Sequence, residues 1–142
     1  MCRILLVDDV EEVRFSIAST FHRHGFEVTE ARDGLEAMKR LTESNYDVVI
    51  TDLWMPNTDG VELLRAINSM ENSPAVIAIS GGAPNAPINF SVALADTWGA
   101  DAVFIKPFDN DELVDKVRSL LGHRSLSSPS SGPFAPSAST IP

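Results

Sequence analysis

Short apolar segments alternate along this chain with segments whose apolar residues recur every three or four positions. The short segments predict five strands, at residues 3–7, 26–31, 48–51, 75–79 and 102–105. The run Val48 to Ile50 lacks polar alternation, which is typical of a parallel strand buried on both faces. Phe26 to Ala31 instead alternates apolar and charged residues, and this pattern predicts an edge strand with one exposed face.

The longer segments predict five helices. Their apolar stripes are Val10, Val13, Ile17 and Phe21; Leu35, Met38 and Leu41; Val61, Leu64 and Ile67; residues 89–98; and Leu113, Val117 and Leu120. The apolar residues of the fourth predicted helix, 89–98, form no clean stripe, which leaves one face for a partner. Gly25 and Gly99 are placed to end the first and fourth helices, and Asp109 with Glu112 predicts a capping box for the last one.

Five strands alternating with five helices predict an α/β fold with a doubly wound parallel sheet, because right-handed crossovers then cover both faces of the sheet. A chain of 142 residues is long enough for one domain with a substantial core. After Gly122 the sequence is dominated by Ser and Pro, and it has too few large apolar residues to offset the entropy of ordering. We therefore expect a disordered tail over residues 123–142.

Polar residues stand where four of these strands end: Asp8 and Asp9, Asp52, Ser80, and Lys106. The carboxyl ends of parallel strands meet at one edge of the sheet, where ligands and chemistry collect. Three carboxylates brought together there would repel one another by roughly 1 kcal/mol per pair in water, and by more at lower dielectric. Mg²⁺, which prefers hard oxygen ligands, is the expected neutralising cation, with the Lys106 ammonium as a second positive charge.

This cluster suits phosphoryl transfer, which needs an in-line nucleophile and compensation of charge on the transferred oxygens. Asp52 stands alone on the middle strand and is the candidate nucleophile, so the product would be an aspartyl phosphate. Asp8 and Asp9 are the candidate metal ligands. The Ser80 hydroxyl and the Lys106 ammonium are the candidate contacts to phosphoryl oxygens.

The composition excludes several classes of function. The chain has 11 Lys and Arg against 20 Asp and Glu, a net charge of −9, which argues against direct binding to nucleic acid. No apolar run approaches the roughly 20 residues that span a bilayer, and the N-terminal sequence lacks the pattern of a signal peptide. We therefore expect a cytoplasmic protein. The single Cys2 cannot form an internal disulfide.

Four motifs also carry a family resemblance: LLVDD at residues 5–9, DLWMPNTDG at 52–60, AIS at 78–80 and KPF at 106–108. In order and spacing they resemble response regulator receiver domains. The resemblance implies a flavodoxin-like (βα)5 fold with strand order 2-1-3-4-5, a receiver domain over residues 1–122, and a cis bond before Pro107. It also implies a histidine kinase or a histidine phosphotransfer protein as phosphoryl donor.

The same resemblance implies roles for the matching residues. Asp52 corresponds to the phosphoacceptor, Ser80 to the hydroxyl switch and Lys106 to the phosphate-binding lysine. The Mg²⁺ ligands would be Asp8, Asp9, Asp52 and the main-chain carbonyl of Trp54.

The chain departs from the family pattern in two places. The aromatic switch residue expected three positions before Lys106 is Val103, and Phe104 stands next to it on the opposite face of the strand. The usual coupling between the hydroxyl and an aromatic side chain is therefore not expected. The stretch Gly81 to Pro87 is also longer than the family norm, which predicts an unusual output through that face.

The favoured hypothesis is a phosphorylation-controlled switch that assists its own phosphorylation and dephosphorylation, and is not an enzyme for other substrates. Its output would be a population shift of the Ser80 loop, the predicted helix 89–98 and the fifth strand. We expect a stand-alone regulator that acts through an unknown downstream protein or through a homodimer formed by the fourth helix and fifth strand. A piece of a longer chain is the other possibility.

Three other hypotheses remain. One is an interaction domain of the same fold that works without phosphorylation. Another is an aspartyl-phosphate phosphatase, but such enzymes carry a second acid two residues after the nucleophile, where this chain has Trp54. The third is a flavodoxin-like FMN module, which would need a phosphate-binding loop rich in Ser, Thr and Gly where this chain has Asp8, Asp9 and Val10.

Overall fold

The structure, a computed structural model, describes residues 2–53, 60–80 and 99–126, although not the side chains of residues 60, 61 and 123–126. Four sequence predictions therefore lie outside the described residues. They concern Trp54, the stretch Gly81 to Pro87, the helix at 89–98 and the tail beyond Leu126.

Within the described residues the chain forms five strands and four helices. The strands are β1 (Arg3–Val7), β2 (Glu27–Ala31), β3 (Val48–Asp52), β4 (Ala75–Ser80) and β5 (Ala102–Ile105). The helices are α1 (Glu11–Arg23), α2 (Gly34–Glu43), α3 (Gly60–Asn68) and α4 (Asn110–Leu126). The last helix passes through Gly122, where the domain was expected to end.

All five strands pair in parallel in one sheet of order β2-β1-β3-β4-β5. The predicted doubly wound sheet, its order and the edge position of β2 are confirmed. The register pairs Val7 with Thr51, Asp52 with Ile79 and Ser80 with Ile105. Since these pairs are at the strand ends, the polar residues that follow or end the strands lie along one edge.

Two hydrophobic cores lie on the two faces of the sheet. Alternate residues of β1 enter different cores: Leu5 and Val7 pack with residues of α2 and α3, whereas Ile4 and Leu6 pack with residues of α1 and α4. Val48, Val49 and Ile50 are all 0% exposed, which confirms burial of β3 on both faces. The same alternation places Val103 against the first core and Phe104 against the second, as the sequence predicted.

The predicted stripe of α2 was wrong in two of its three positions. Leu35 is 66% exposed and Met38 is 37% exposed, whereas Leu41 is buried. The buried face consists of Gly34, Ala37 and Leu41. Small residues at two of these positions let the helix lie close to the sheet, so the larger side chains between them point outward. The stripe predicted for α1 was also wrong at its first position, because Val10 precedes the helix and is 40% exposed.

The helix ends follow their sequence signals. Gly25 has φ of +87°, a conformation that L side chains rarely adopt, and it follows the end of α1 as predicted. The Asp109 carboxylate accepts a hydrogen bond from the main-chain N–H of Asp111 at 2.9 Å, which caps α4. Among the described residues, no helix combines the length and apolar character that crossing a membrane requires.

Candidate functional site

Asp52 is the last residue of β3, and its side chain is 7% exposed at the carboxyl end of the central strand. The strand is fixed there by the sheet, because the neighbouring Leu53 N–H donates to the Ile79 carbonyl at 3.0 Å. The Lys106 ammonium donates to Asp52 Oδ2 at 3.1 Å. The candidate nucleophile is therefore held on a rigid element and is paired with one cation.

Asp8 immediately follows β1 and is 0% exposed. Its N–H donates to the Ala31 carbonyl at 3.1 Å, and its Oδ1 accepts from the Val10 N–H at 2.9 Å. Its other carboxylate oxygen, Oδ2, is buried and has no hydrogen-bond partner among the described residues. A buried carboxylate oxygen without a hydrogen bond is costly, so this atom needs a ligand.

The carboxylate oxygens of Asp8, Asp9 and Asp52 lie within 4.8 Å of one another. Asp8 and Asp52 are buried and Asp9 is exposed, so the cluster opens to solvent on one side. Hard oxygen donors in this number are what Mg²⁺ takes from a protein while it keeps several waters. The donor set and the buried oxygen of Asp8 fit a divalent cation, as the sequence predicted.

Lys106 follows β5, and its N–H donates to the Ser80 carbonyl at 2.9 Å, so the sheet also fixes its main chain. Its ammonium lies 3.8 Å from Asp8 Oδ2 in addition to its contact with Asp52. The Lys106–Pro107 bond is cis, which confirms that prediction.

Burial and the neighbouring charges shift two pKa values in the site. Burial raises the pKa of Asp8 above its usual value of 3.8, and the charges of Asp52 and Asp9 add to that rise, against the lowering effects of the Val10 N–H and of Lys106. Burial alone would lower the pKa of Lys106, but the carboxylates of Asp52 and Asp8 more than offset it, so the pKa rises. The Lys106 ammonium therefore stays charged, but its single positive charge does not balance the three carboxylates.

Ser80 ends β4 and is 0% exposed. The structure thus brings Asp8, Asp9 and Asp52 within 4.8 Å of one another and Lys106 into contact with Asp8 and Asp52. It places Ser80 at the end of the strand next to Asp52. Trp54 lies outside the described residues. The geometry agrees with the predicted site, and the role of each residue remains a prediction.

Sequence analysis missed Arg14, on α1. Its guanidinium donates to the Asp8 carbonyl at 2.8 Å through one terminal nitrogen and to Glu30 at 2.9 Å through Nε. An arginine six residues after Asp8 gave no signal in the sequence, because its second partner lies at the end of another strand.

The chain was compared with known families, curated proteins and solved structures. The sequence profile of the response regulator receiver domain family matches residues 4–118. Among curated proteins, the chain is 36% identical to the transcriptional regulatory protein PrrA of Mycobacterium leprae over 129 residues, which cover 91% of this chain and 54% of PrrA. It is 38% identical to the CAI-1 autoinducer sensor kinase/phosphatase CqsS of Vibrio cholerae over 116 residues, 81% of this chain and 17% of CqsS. The chain thus spans about half of PrrA and less of CqsS.

Solved structures agree with this match. A CheY-like receiver domain protein of Methanospirillum hungatei superposes with a TM-score of 0.82 at 25% identity, covering 90% of this chain and 99% of that one. The response regulator TrrA of Thermotoga maritima, solved in complex with Mg²⁺ and BeF, superposes with a TM-score of 0.73 at 32% identity, covering 84% and 99%. This chain therefore belongs to the response regulator receiver domains, the phosphorylation-type switches of two-component signalling systems.

Proposed function

We propose that Asp52 accepts a phosphoryl group from a phosphohistidine of a histidine kinase or histidine phosphotransfer protein, with Mg²⁺ as cofactor. The observation that carries this proposal is the cluster itself: three carboxylates within 4.8 Å of one another, with a buried oxygen of Asp8 that has no hydrogen-bond partner in the described part of the chain. A purely structural carboxylate that is fully buried would have both of its oxygens hydrogen-bonded.

Asp8, Asp9 and Asp52 would hold the cation, with the main-chain carbonyl of Trp54 as a further ligand. When bound, Mg²⁺ supplies positive charge that offsets the negative charge of the carboxylates and of the transferred phosphoryl oxygens. TrrA was solved in complex with Mg²⁺ and BeF, which supports the same cofactor for this chain.

In the transfer, a carboxylate oxygen of Asp52 attacks phosphorus, forming an O–P bond as the P–N bond of the phosphohistidine breaks. The departing imidazole keeps the electron pair of the P–N bond and takes up one proton from solvent, which leaves a neutral histidine. The strand holds Asp52 in place for in-line attack, so most of the catalytic effect comes from positioning and charge compensation.

Phosphorylation would redistribute the contacts of Lys106 and Ser80. The Lys106 ammonium, 3.1 Å from Asp52 in this structure, is placed to pair with a phosphoryl oxygen, and the Ser80 hydroxyl is the candidate donor to another. Because Lys106 N–H donates to the Ser80 carbonyl, the ends of β4 and β5 are linked. We propose that this link shifts the loop after Ser80, the predicted helix 89–98 and the face of β5, where a downstream protein or a second copy would bind.

A groove beside the site supports a protein as the phosphoryl donor. It has a volume of about 380 Å³ and runs between α1 and the segment after β5, lined by Val13, Ile17, Lys106, Pro107 and Phe108 among others. On the same helix Phe15 is 66% exposed. Apolar surface next to the Lys106 ammonium suits a helical partner that presents a phosphohistidine. The net charge of −9 favours a protein over nucleic acid as the partner. We also propose a cytoplasmic location.

The test is phosphorylation by a small donor. The protein is incubated with acetyl phosphate and Mg²⁺, and its intact mass is measured. We expect one phosphate adduct that is labile to base and to hydroxylamine, that disappears when EDTA removes the metal, and that is absent from the Asp52→Asn variant.

Glu62→Gln is the matched control, because it removes one exposed acid from the start of α3 without touching the cluster, and it should keep the adduct. If neither acetyl phosphate nor a histidine kinase phosphorylates the folded wild-type protein, the proposal is wrong. An interaction domain that works without phosphorylation is then the remaining function.

A further inference from the structure

Arg14 is a largely buried arginine that the proposed phosphorylation chemistry does not use. Its side chain is 15% exposed, and it joins three elements. From α1 it reaches the carbonyl of Asp8 at the end of β1 and the carboxylate of Glu30 on β2. Arginine suits this arrangement because its planar fork donates in several fixed directions at once.

The contact completes the fixation of Asp8. The N–H of Asp8 donates to Ala31, its carbonyl accepts from Arg14, and its Oδ1 accepts from Val10. These bonds fix the main chain and one carboxylate oxygen. The remaining oxygen, Oδ2, faces the Lys106 ammonium at 3.8 Å, where the carboxylate cluster lies.

We propose that Arg14 is a positioning residue for the cation site: by holding the Asp8 carbonyl, it directs Asp8 Oδ2 toward the metal. This inference rests on the proposed Mg²⁺ site. Glu30 serves as the anchor for Arg14, because its ion pair at 2.9 Å fixes the guanidinium against the edge strand. Groups that orient metal ligands in this way typically change metal affinity by about 10- to 100-fold when they are removed.

The direction of the change in Mg²⁺ affinity distinguishes a positioning role of Arg14 from a purely electrostatic one. A guanidinium beside an acidic cluster repels a cation, so the loss of its charge alone would tighten Mg²⁺ binding. If Arg14 positions Asp8, its loss weakens Mg²⁺ binding instead. A purely structural role would lower the urea midpoint of unfolding and leave the Mg²⁺ affinity of the folded protein unchanged.

The experiment measures the dissociation constant of Mg²⁺ by isothermal titration calorimetry for wild type, Arg14→Met, Arg14→Lys and Arg23→Met, with urea unfolding in EDTA alongside. Arg23→Met is the matched control, since it makes the same change at the end of α1. We expect the dissociation constant to rise about tenfold in Arg14→Met, to rise less in Arg14→Lys, and to stay within about twofold in the control. The same rise should appear in the Mg²⁺ concentration that gives half-maximal phosphorylation by acetyl phosphate.

An unchanged or smaller dissociation constant in folded Arg14→Met would overturn the inference. If Arg14→Met does not fold, Arg14→Lys decides alone: a rise of the dissociation constant by less than threefold overturns the inference, and a rise of threefold or more supports it. If the wild-type protein itself binds no Mg²⁺, the proposed function fails first. Normal Mg²⁺ binding and phosphorylation in wild type and in both Arg14 variants would overturn only the role of Arg14.

Discussion

Charged side chains are paired to different extents at the two ends of the sheet. At the amino end, Arg3 is paired on every side: its N–H donates to Asp47 at 2.8 Å, its Nε contacts Glu27 at 3.2 Å, and its guanidinium lies 5.1 Å from the ring centroid of Tyr46. At the carboxyl end, three carboxylates lie within 4.8 Å of one another, and the Lys106 ammonium pairs with two of them, Asp8 and Asp52. The side chains of Arg3 and Glu27 are 36% and 49% exposed, whereas that of Asp8 is 1% exposed.

This difference indicates that the charges at the amino end belong to the folded framework, whereas those at the carboxyl end belong to the functional site. Exposed, paired charges contribute little to stability and need nothing further. Clustered carboxylates that are buried close together oppose folding until a cation binds, and such local conflicts in an otherwise consistent fold are expected at functional sites. Matched substitutions at the two ends of the sheet test that contrast.

The largest expected effect comes from removing one cation at each end. Lys106→Met should slow phosphorylation by acetyl phosphate and Mg²⁺ by about 100-fold, because the transferred phosphoryl group loses a fixed positive contact. Arg3→Met should leave that rate within about twofold, since Arg3 contacts only the amino end. Intact mass against time gives both rates. Equal rates for wild type and Lys106→Met, with far-UV circular dichroism unchanged, would contradict the role of Lys106.

The second prediction removes one acid at each end and expects opposite signs for stability. In EDTA near neutral pH, Asp8→Asn should raise the free energy of unfolding by about 1 kcal/mol, because it relieves like-charge repulsion around a buried carboxylate. Asp47→Asn should lower it by about 0.5 kcal/mol or less, because an exposed hydrogen bond to the Arg3 N–H loses its charge. Urea unfolding measures both. Destabilisation by Asp8→Asn would mean that Asp8 is paired more fully than its geometry indicates.

The third prediction concerns the pH dependence of the Asp8→Asn effect. Burial raises the pKa of Asp8 above 3.8, so the folded state binds this proton more tightly than the unfolded state does. Protonation of Asp8 as the pH falls through its raised pKa therefore removes the destabilisation by its buried charge. The contribution of Asp8 to the free energy of unfolding accordingly falls as pH rises. The gain from Asp8→Asn should be full near neutral pH and shrink as pH falls toward 3.8. A gain independent of pH over that range would exclude ionisation as its cause.

Much of the carboxyl end could be predicted from sequence, for a physical reason. A buried parallel strand reads as an unbroken apolar run, so its end is visible where Val7 meets Asp8 or Ile50 and Thr51 meet Asp52. Parallel strands bring such ends to one edge whatever the details of packing. The order of the strands came from the family resemblance, because periodicity alone does not give it.

What the sequence did not show depends on distances between separate elements. Arg14 meets Glu30 only because the register pairs Leu6 with Glu30 and Val7 with Ala31, and no local pattern encodes that register. The face of α2 was missed because three-residue spacing identifies a helix but not its rotation. Gly34 and Ala37 set that rotation by allowing close approach to the sheet, although their small side chains make a weak apolar signal.

The smallest expected effect concerns the thiol at the amino end. The pKa of Cys2 is raised to about 11, first by burial and then by the negative charge of Asp47. Asp47→Asn removes the second cause, so the thiolate fraction of Cys2 should grow and its alkylation by iodoacetamide in the folded protein should quicken about twofold. Glu62→Gln, which removes an acid on α3, should leave the rate unchanged. A rate that stays equal in Asp47→Asn would show that burial alone suppresses the thiolate, and a rise above about tenfold would show that Asp47→Asn opens the amino end. Charged contacts would then be needed to keep Cys2 shielded from solvent at the amino end. The amino end would in that case also depend on its charged groups, as the carboxyl end does.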